Sequence, residues 1–181
     1  VPPHNLSAEQ SLLGAMLLRP EAVSAAVETV SAASFYKPAH GHIYDAITNL
    51  YSQGQSVDAV TVAEELRRAG LLESVGGVEE LTNLLEATPA VSNAAQYARI
   101  VDENALLRRL ISVAGDIAEM GYGLPDDVAA AIDRAESMVF EVAQRRVTDS
   151  TKALEELLSA ALDDIEQRYA KGDTITGLAT G

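Results

Sequence analysis

The chain has 181 residues, 48% of them hydrophobic, enough apolar material for the core of one domain or of a domain with an appendage. Thirteen Lys plus Arg against twenty-seven Asp plus Glu give a formal net charge of −14, a surface that repels a phosphate backbone and argues against tight nucleic-acid binding. Cysteine is absent, which excludes thiolate chemistry and fits a cytoplasmic setting, and charged residues interrupt every apolar run, which excludes a membrane span or a secretory leader.

Helical periodicity and capping signals recur from end to end, and no stretch of strict alternation is long enough for a sheet, so the pattern predicts an all-α fold. Pro2-Pro3 sets an extended entry. Ser7 with Gln10 three residues on predicts a capping box for the first helix, which ends before Pro20. A second helix is expected from Glu21 to Val30. Pro38 opens a third, whose stripe of Ile43, Ala46, Ile47, Leu50 and Tyr51 stops at Gly54. Thr61 with Glu64 predicts another capping box, and the helix it starts closes at Gly70. After Gly76-Gly77 a further helix runs from Val78 to Ala87, where Thr88-Pro89 ends it. Residues 1–91 are thus expected to form a compact bundle of short helices.

The scale changes at Asn93, which with Gln96 caps a helix predicted to run unbroken to about Tyr122, roughly 45 Å at 1.5 Å per residue. Leu106, Leu107, Leu110, Ile111, Val113, Ala114, Ile117, Ala118, Met120 and Tyr122 spread over roughly 200° of it, where a helix lying on one core needs roughly 100°. A helix apolar on two sides has to be covered on two sides, by its own domain and by another domain or chain. Gly121 to Pro125 reads as a turn, and Asp126-Asp127 suit the positive N-terminal end of the next helix, which runs to about Arg146. Its stripe of Val128, Ile132, Ala135, Val139 and Val142 covers one side of the long helix and leaves the other open, so residues 92–146 are expected to form an antiparallel, self-associating hairpin. The expected interface draws on Leu106, Leu110, Val113, Ile117 and Met120 of the long helix and on Val128, Ile132 and Val139 of its partner. Residues 147–151 read as a linker and 152–172 as a separate linker helix with a docking face of Leu154, Leu157, Leu158, Leu162, Ile165 and Tyr169. Standing alone, that helix would leave on the order of 10 kcal/mol of burial unrealised, so it expects a dock elsewhere.

Signals for catalysis are weak. Gly172 to Gly177 matches the first positions of a P-loop, but Leu178-Ala179 stand where the lysine and the magnesium-binding hydroxyl belong. His40 and His42 sit two apart, point in different directions on a helix and have no cysteine or third histidine beside them, so a metal site is not expected; His40 reads as a structural polar contact or an exposed residue. Asp126-Asp127 and Asp163-Asp164 are explained by exposure and helix dipoles, and no Ser/His/Asp arrangement stands out. No catalytic residue, cofactor or metal is assigned to this chain.

Pro2 to Leu6 running into Ala8 to Gly14 resembles the opening of the N-terminal domain of DnaB-type replicative DNA helicases. Phe35 to His40, Ile43-Tyr44, Val57 to Glu64, Val75-Gly76-Gly77, Thr88-Pro89, Tyr97 to Val101 and Leu106 to Leu110 are similar to that family's successive signatures, in its order and spacing. The resemblance covers Pro2 to Gly181, with residues 173–181 as the start of the connection to a RecA-like motor domain and Thr176 to Gly181 looking like its threshold. It implies a helical globule, a hairpin through which copies pair and assemble as a trimer of dimers, recruitment of primase through the primase's C-terminal domain, and a linker helix packed on a neighbouring subunit's motor domain. It also implies that ATP, magnesium and the DNA-binding loops belong to the motor domain, so this stretch neither hydrolyses ATP nor unwinds DNA. The alternative from the residues alone is a free-standing all-α adaptor unrelated to a helicase.

Overall fold

The computed structural model describes residues 1–144. The expectations for the linker, the linker helix with its face from Leu154 to Tyr169, and the glycine-flanked segment at 172–177 lie outside those residues. Among the described residues every regular element is helical: α1 (Leu6–Leu18), α2 (Pro20–Thr29), a 3-10 turn (Ala32–Ser34), α3 (Pro38–Ser52), α4 (Ala59–Arg68), α5 (Gly77–Glu86), a second 3-10 turn (Val91–Asn93) and α6 (Ala94–Tyr122). A last helix, α7, occupies 128–144. The chain divides into two units, the first Val1–Ile132 and the second beginning at Asp133.

α1 is the axle of the first unit. Its Leu12, Leu13, Ala15, Met16 and Leu17 are buried on all sides rather than along one stripe, as expected of a helix surrounded by others. α2, α3, α5 and the start of α6 pack around it. Gly14 makes the tightest of these approaches possible: a Cβ there would lie 2.1 Å from the Leu84 carbonyl oxygen and 1.9 Å from Thr88 Oγ1. From α3, Ile43, Ala46, Ile47 and Leu50 enter the core as their spacing predicts, whereas Tyr51, the last of the predicted stripe, is exposed.

Three caps differ from the sequence reading. Asn5, the last residue outside the helix, caps α1 by accepting from the Ala8 amide at 3.0 Å, and Ser7 is already inside the helix. Only the last non-helical residue can turn its side chain back onto the first free amides, so Ser7 has no capping role. Asp58 likewise caps α4, accepting from Val60 and Thr61 amides at 2.8 and 2.9 Å while Thr61 Oγ1 accepts from the Asp58 amide at 3.0 Å. The box is real but stands three residues before the Thr61–Glu64 pair. Asn93 gives α6 no side-chain cap, because the 3-10 turn before it runs straight into the helix. Gly54 and Gly70 close α3 and α4 with φ of 69° and 71°, the left-handed conformation that lets Gln55 and Leu71 donate back to the Leu50 and Leu66 carbonyls.

A buried ionic network fastens the segment before α3. Glu9, 1% exposed, accepts the Tyr36 amide at 2.7 Å and the Lys37 amide at 3.4 Å, and its Oε2 lies 2.7 Å from His40 Nδ1. His40 Nε2 makes no hydrogen bond and lies 3.7 Å from Glu80 Oε1, which accepts from Lys37 Nζ at 2.6 Å. The hydrogen bond from Lys37 holds the Glu80 carboxyl below its ordinary range, outweighing the burial that would raise it. Nearby, Tyr44 donates to the Val30 carbonyl at 2.7 Å; burial, with the Asp45 charge second, pushes its phenol up to about 12.

Candidate functional site

α6 enters the globule for only its first two turns. Ala94, Ala98 and Val101 are buried on the core, with Tyr97 and Ile100 beside them. From 102 to 144 no described residue is buried. The helix continues for 29 residues in all, so about 30 Å of it carries apolar side chains that the globule does not cover.

That apolar arc splits into two adjoining stripes. Leu106, Leu110, Val113, Ile117 and Met120 recur at alternating steps of four and three and fall within about 80° of one another. Of these Leu106, Val113, Ile117 and Met120 are half-buried, and Leu110 is 45% exposed. One position further on, Leu107, Ile111, Ala114 and Ala118 form the second stripe, which Tyr122 extends, and all five are exposed. Ile111 retains 57% of its surface. Beyond the turn, where Asp127 accepts from the Ala130 amide, Val128 and Ile132 are exposed. In the second unit Val139 and Phe140 are exposed as well.

The predicted interface residues are thus brought onto one helix face in the case of Leu106 to Met120, but the more open surface is the neighbouring stripe. Leu107 and Ile111 belong to any candidate surface and were within the predicted apolar arc, although not among its chosen members. The signal for them is the second heptad-like series, displaced by one residue from the first. Phe140 had no such signal, since it falls off the stripe of Val128, Ile132 and Val139. Singly exposed apolar residues are ordinary on a protein surface; a contiguous series along several helical turns is the mark of an interaction site.

The remaining chemistry is structural. His40 is fully buried while His42, two residues on, is exposed, so the pair cannot share a ligand. Glu9 and His40 are closed to solvent, and Glu9 spends its carboxylate on the Tyr36 and Lys37 amides and on His40 Nδ1. Among the described residues no three of His, Cys, Asp and Glu come together to hold a metal ion, and no helix is long and apolar enough to cross a membrane.

Comparison with known proteins agrees with this architecture. The DnaB-like helicase N-terminal domain matches residues 1–103. The replicative DNA helicase DnaB of Mycobacterium leprae is 42% identical over 182 residues, covering 99% of this chain and 30% of that protein. The replicative DNA helicase DnaC of Bacillus subtilis is 41% identical, covering 100% of this chain and 40% of that protein. The chain therefore spans well under half the length of these relatives. Among solved structures, the N-terminal domain of DnaB helicase from Mycobacterium tuberculosis superposes with a TM-score of 0.73 at 44% identity, covering 78% of this chain and 99% of that one. A DnaB-like replicative helicase, described with its interactions with primase, gives 0.63 at 28% identity, over 90% of this chain and 35% of that one. An unrelated free-standing adaptor is not favoured by these likenesses. The helix order, the long bare helix and the sequence matches agree, and the chain belongs to the DnaB-like helicase N-terminal domain family.

Proposed function

We propose that this chain is the self-association and partner-docking part of a cytoplasmic bacterial replicative DNA helicase, acting by geometry rather than by catalysis. Copies pair through α6 and the helix after it, and pairs assemble as a trimer of dimers that forms a collar. ATP and magnesium are handled by a motor domain outside this chain, and residues 152–172 strap each subunit to its neighbour's motor. The collar recruits primase through the primase's C-terminal domain; the structure described with primase, similar over 90% of this chain, supports that reading.

One observation carries it: the apolar series along α6 is left open by its own globule, with Leu110 and Ile111 both about half exposed. Burying a large aliphatic side chain is worth about 1.5–3 kcal/mol, so pairing several such residues is strongly favourable before the cost of association is subtracted. The test is Leu110→Asp combined with Ile111→Asp, with molar mass followed by light scattering across a dilution series. The mass is expected to fall to that of one chain with helical content unchanged. A folded variant that keeps the wild-type mass would refute the assignment of this face. Binding of an isolated primase C-terminal domain, measured on the same samples, tests the docking role separately.

A further inference from the structure

Arg108 joins three parts of the first unit that are distant in sequence. It lies on α6 about two turns beyond Val101, the last buried core residue of that helix. One terminal nitrogen of its guanidinium donates to the Pro3 carbonyl at 2.7 Å, and the other to the Ser34 carbonyl at 2.6 Å. The same group stands 5.7 Å from the centre of the Tyr36 ring. Tyr36 in turn stacks on His4 with ring centres 4.3 Å apart and planes 16° from parallel, and His4 Nδ1 bonds to the Pro2 carbonyl at 2.8 Å. The extended entry before α1, the segment before α3 and the long helix therefore meet at one side chain.

Neither of the two carbonyls lies inside an α-helix. Pro3 precedes α1, and Ser34 ends the first 3-10 turn. No carboxylate pairs with Arg108 among the described residues, and no hydrogen bond or ion pair from α6 beyond it reaches the globule. The attachment of α6 thus has two parts. Ala94, Ala98 and Val101 supply an apolar root, and apolar packing is non-directional, tolerating about 15–20° of scatter in crossing angle. Arg108 supplies a planar fork whose donors have fixed relative directions. A root and a fork at separate points along one helix define where that helix aims.

We propose that Arg108 is a positioning residue that sets the direction in which α6 leaves the globule. The inference holds whether or not the apolar flank of α6 pairs with a second copy. Asp116 lies about 22 Å along the helix from Val101, so a tilt of about 15–20° at the root displaces it by about 6–8 Å. The displacement grows along the helix, while distances inside the globule stay fixed.

The chain has no cysteine, so paired spin labels can be placed without background. Ser56→Cys with Asp116→Cys reports the globule-to-helix distance, and Ser56→Cys with Glu86→Cys reports the globule alone; all three positions are exposed, and Ser56 is common to both pairs. Each is measured by pulsed electron resonance with labelled chain diluted into excess unlabelled chain. In Arg108→Met the first distance should shift or broaden by about 6–8 Å and the second should not move. Arg109→Met, on the exposed neighbour, should leave both unchanged. A folded Arg108→Met chain with the wild-type globule-to-helix distribution would overturn the proposal, as would an equal change in both pairs. If Arg108→Met fails to fold, Arg108→Lys decides: it keeps the charge but not the planar fork, and a distribution identical to wild type would overturn the proposal, whereas broadening confined to the first pair supports it.

Discussion

Gly14→Ala adds a methyl where two helices of the core meet most closely, and it should destabilise the fold. The added carbon would lie 2.1 Å from the Leu84 carbonyl oxygen, a backbone atom of α5 that cannot swing aside, and 1.9 Å from Thr88 Oγ1. Ordinary carbon-to-oxygen contact is about 3.3 Å, so α1 and α5 must part by roughly 1 Å. Thr88 Oγ1 also donates to that same Leu84 carbonyl at 2.9 Å, so its displacement breaks a bond worth about 1 kcal/mol. Overpacking adds about 1–3 kcal/mol. Replacing a mid-helix glycine by alanine returns about 1 kcal/mol of helix propensity, leaving a net loss of about 3 kcal/mol at the upper end. For a chain of this length that is a fall of about 6–12 °C in Tm, read from the helical circular dichroism signal during heating. An unchanged or raised Tm would show that α1 and α5 do not approach as closely as described, and the packing argument built on Gly14 would fail with it.

Four further outcomes follow from the same structure. Glu9→Gln keeps an acceptor for the Tyr36 amide but removes the charge facing His40 and the Lys37 amide, so denaturant unfolding should show a loss of about 2–4 kcal/mol; a loss under 1 kcal/mol would mean the network is not held by charge. Glu80 has its carboxyl lowered by Lys37, so it contributes stability above the ordinary glutamate range that is lost as pH falls through its folded value; Lys37→Met should flatten the acid limb of a stability-versus-pH curve, and an unaltered limb counts against the link. Tyr44, pushed up to about 12, favours its neutral form in the fold, so its contribution is intact below about pH 10 and disappears as pH rises toward 12; in a titration of tyrosinate absorbance Tyr44→Phe should remove the absorbance change near pH 12. Gly115→Ala meets nothing within 4 Å in the single chain and should stabilise α6 by about 0.5–1 kcal/mol under dilute conditions, which a lowered Tm would contradict.

The helices were legible because each is bounded by residues with a local effect. Pro20 and Pro38 stand at first helical positions, Gly54 and Gly70 at left-handed closures, and the apolar spacing of Ile43, Ala46, Ile47 and Leu50 names a face without knowledge of what covers it. Caps were misplaced where two polar candidates lie within a few residues, as Asn5 and Ser7 do, or Asp58 and Thr61, because the choice depends on where the chain leaves extended backbone. The meeting of Glu9 with His40, and of Arg108 with Pro3 and Ser34, was beyond reach for a different reason. Those contacts join residues many turns apart, and nothing local marks which glutamate or arginine will be spent on a distant backbone group. The candidate surface lay between these extremes. Its existence could be read from an arc too wide for one core, but the separation of a half-buried stripe from the bare one beside it needed the surrounding structure.

The shallow anchorage of α6 has a consequence for how the protein is made. Among the described residues every buried core residue lies at or before Val101, so the polypeptide needed to complete the globule emerges from the ribosome before the bare flank does. Greasy positions such as Ile111 and Tyr122 then appear tethered to a finished body instead of a nascent one. The order of the residues thus keeps the bare flank away from an unfinished core.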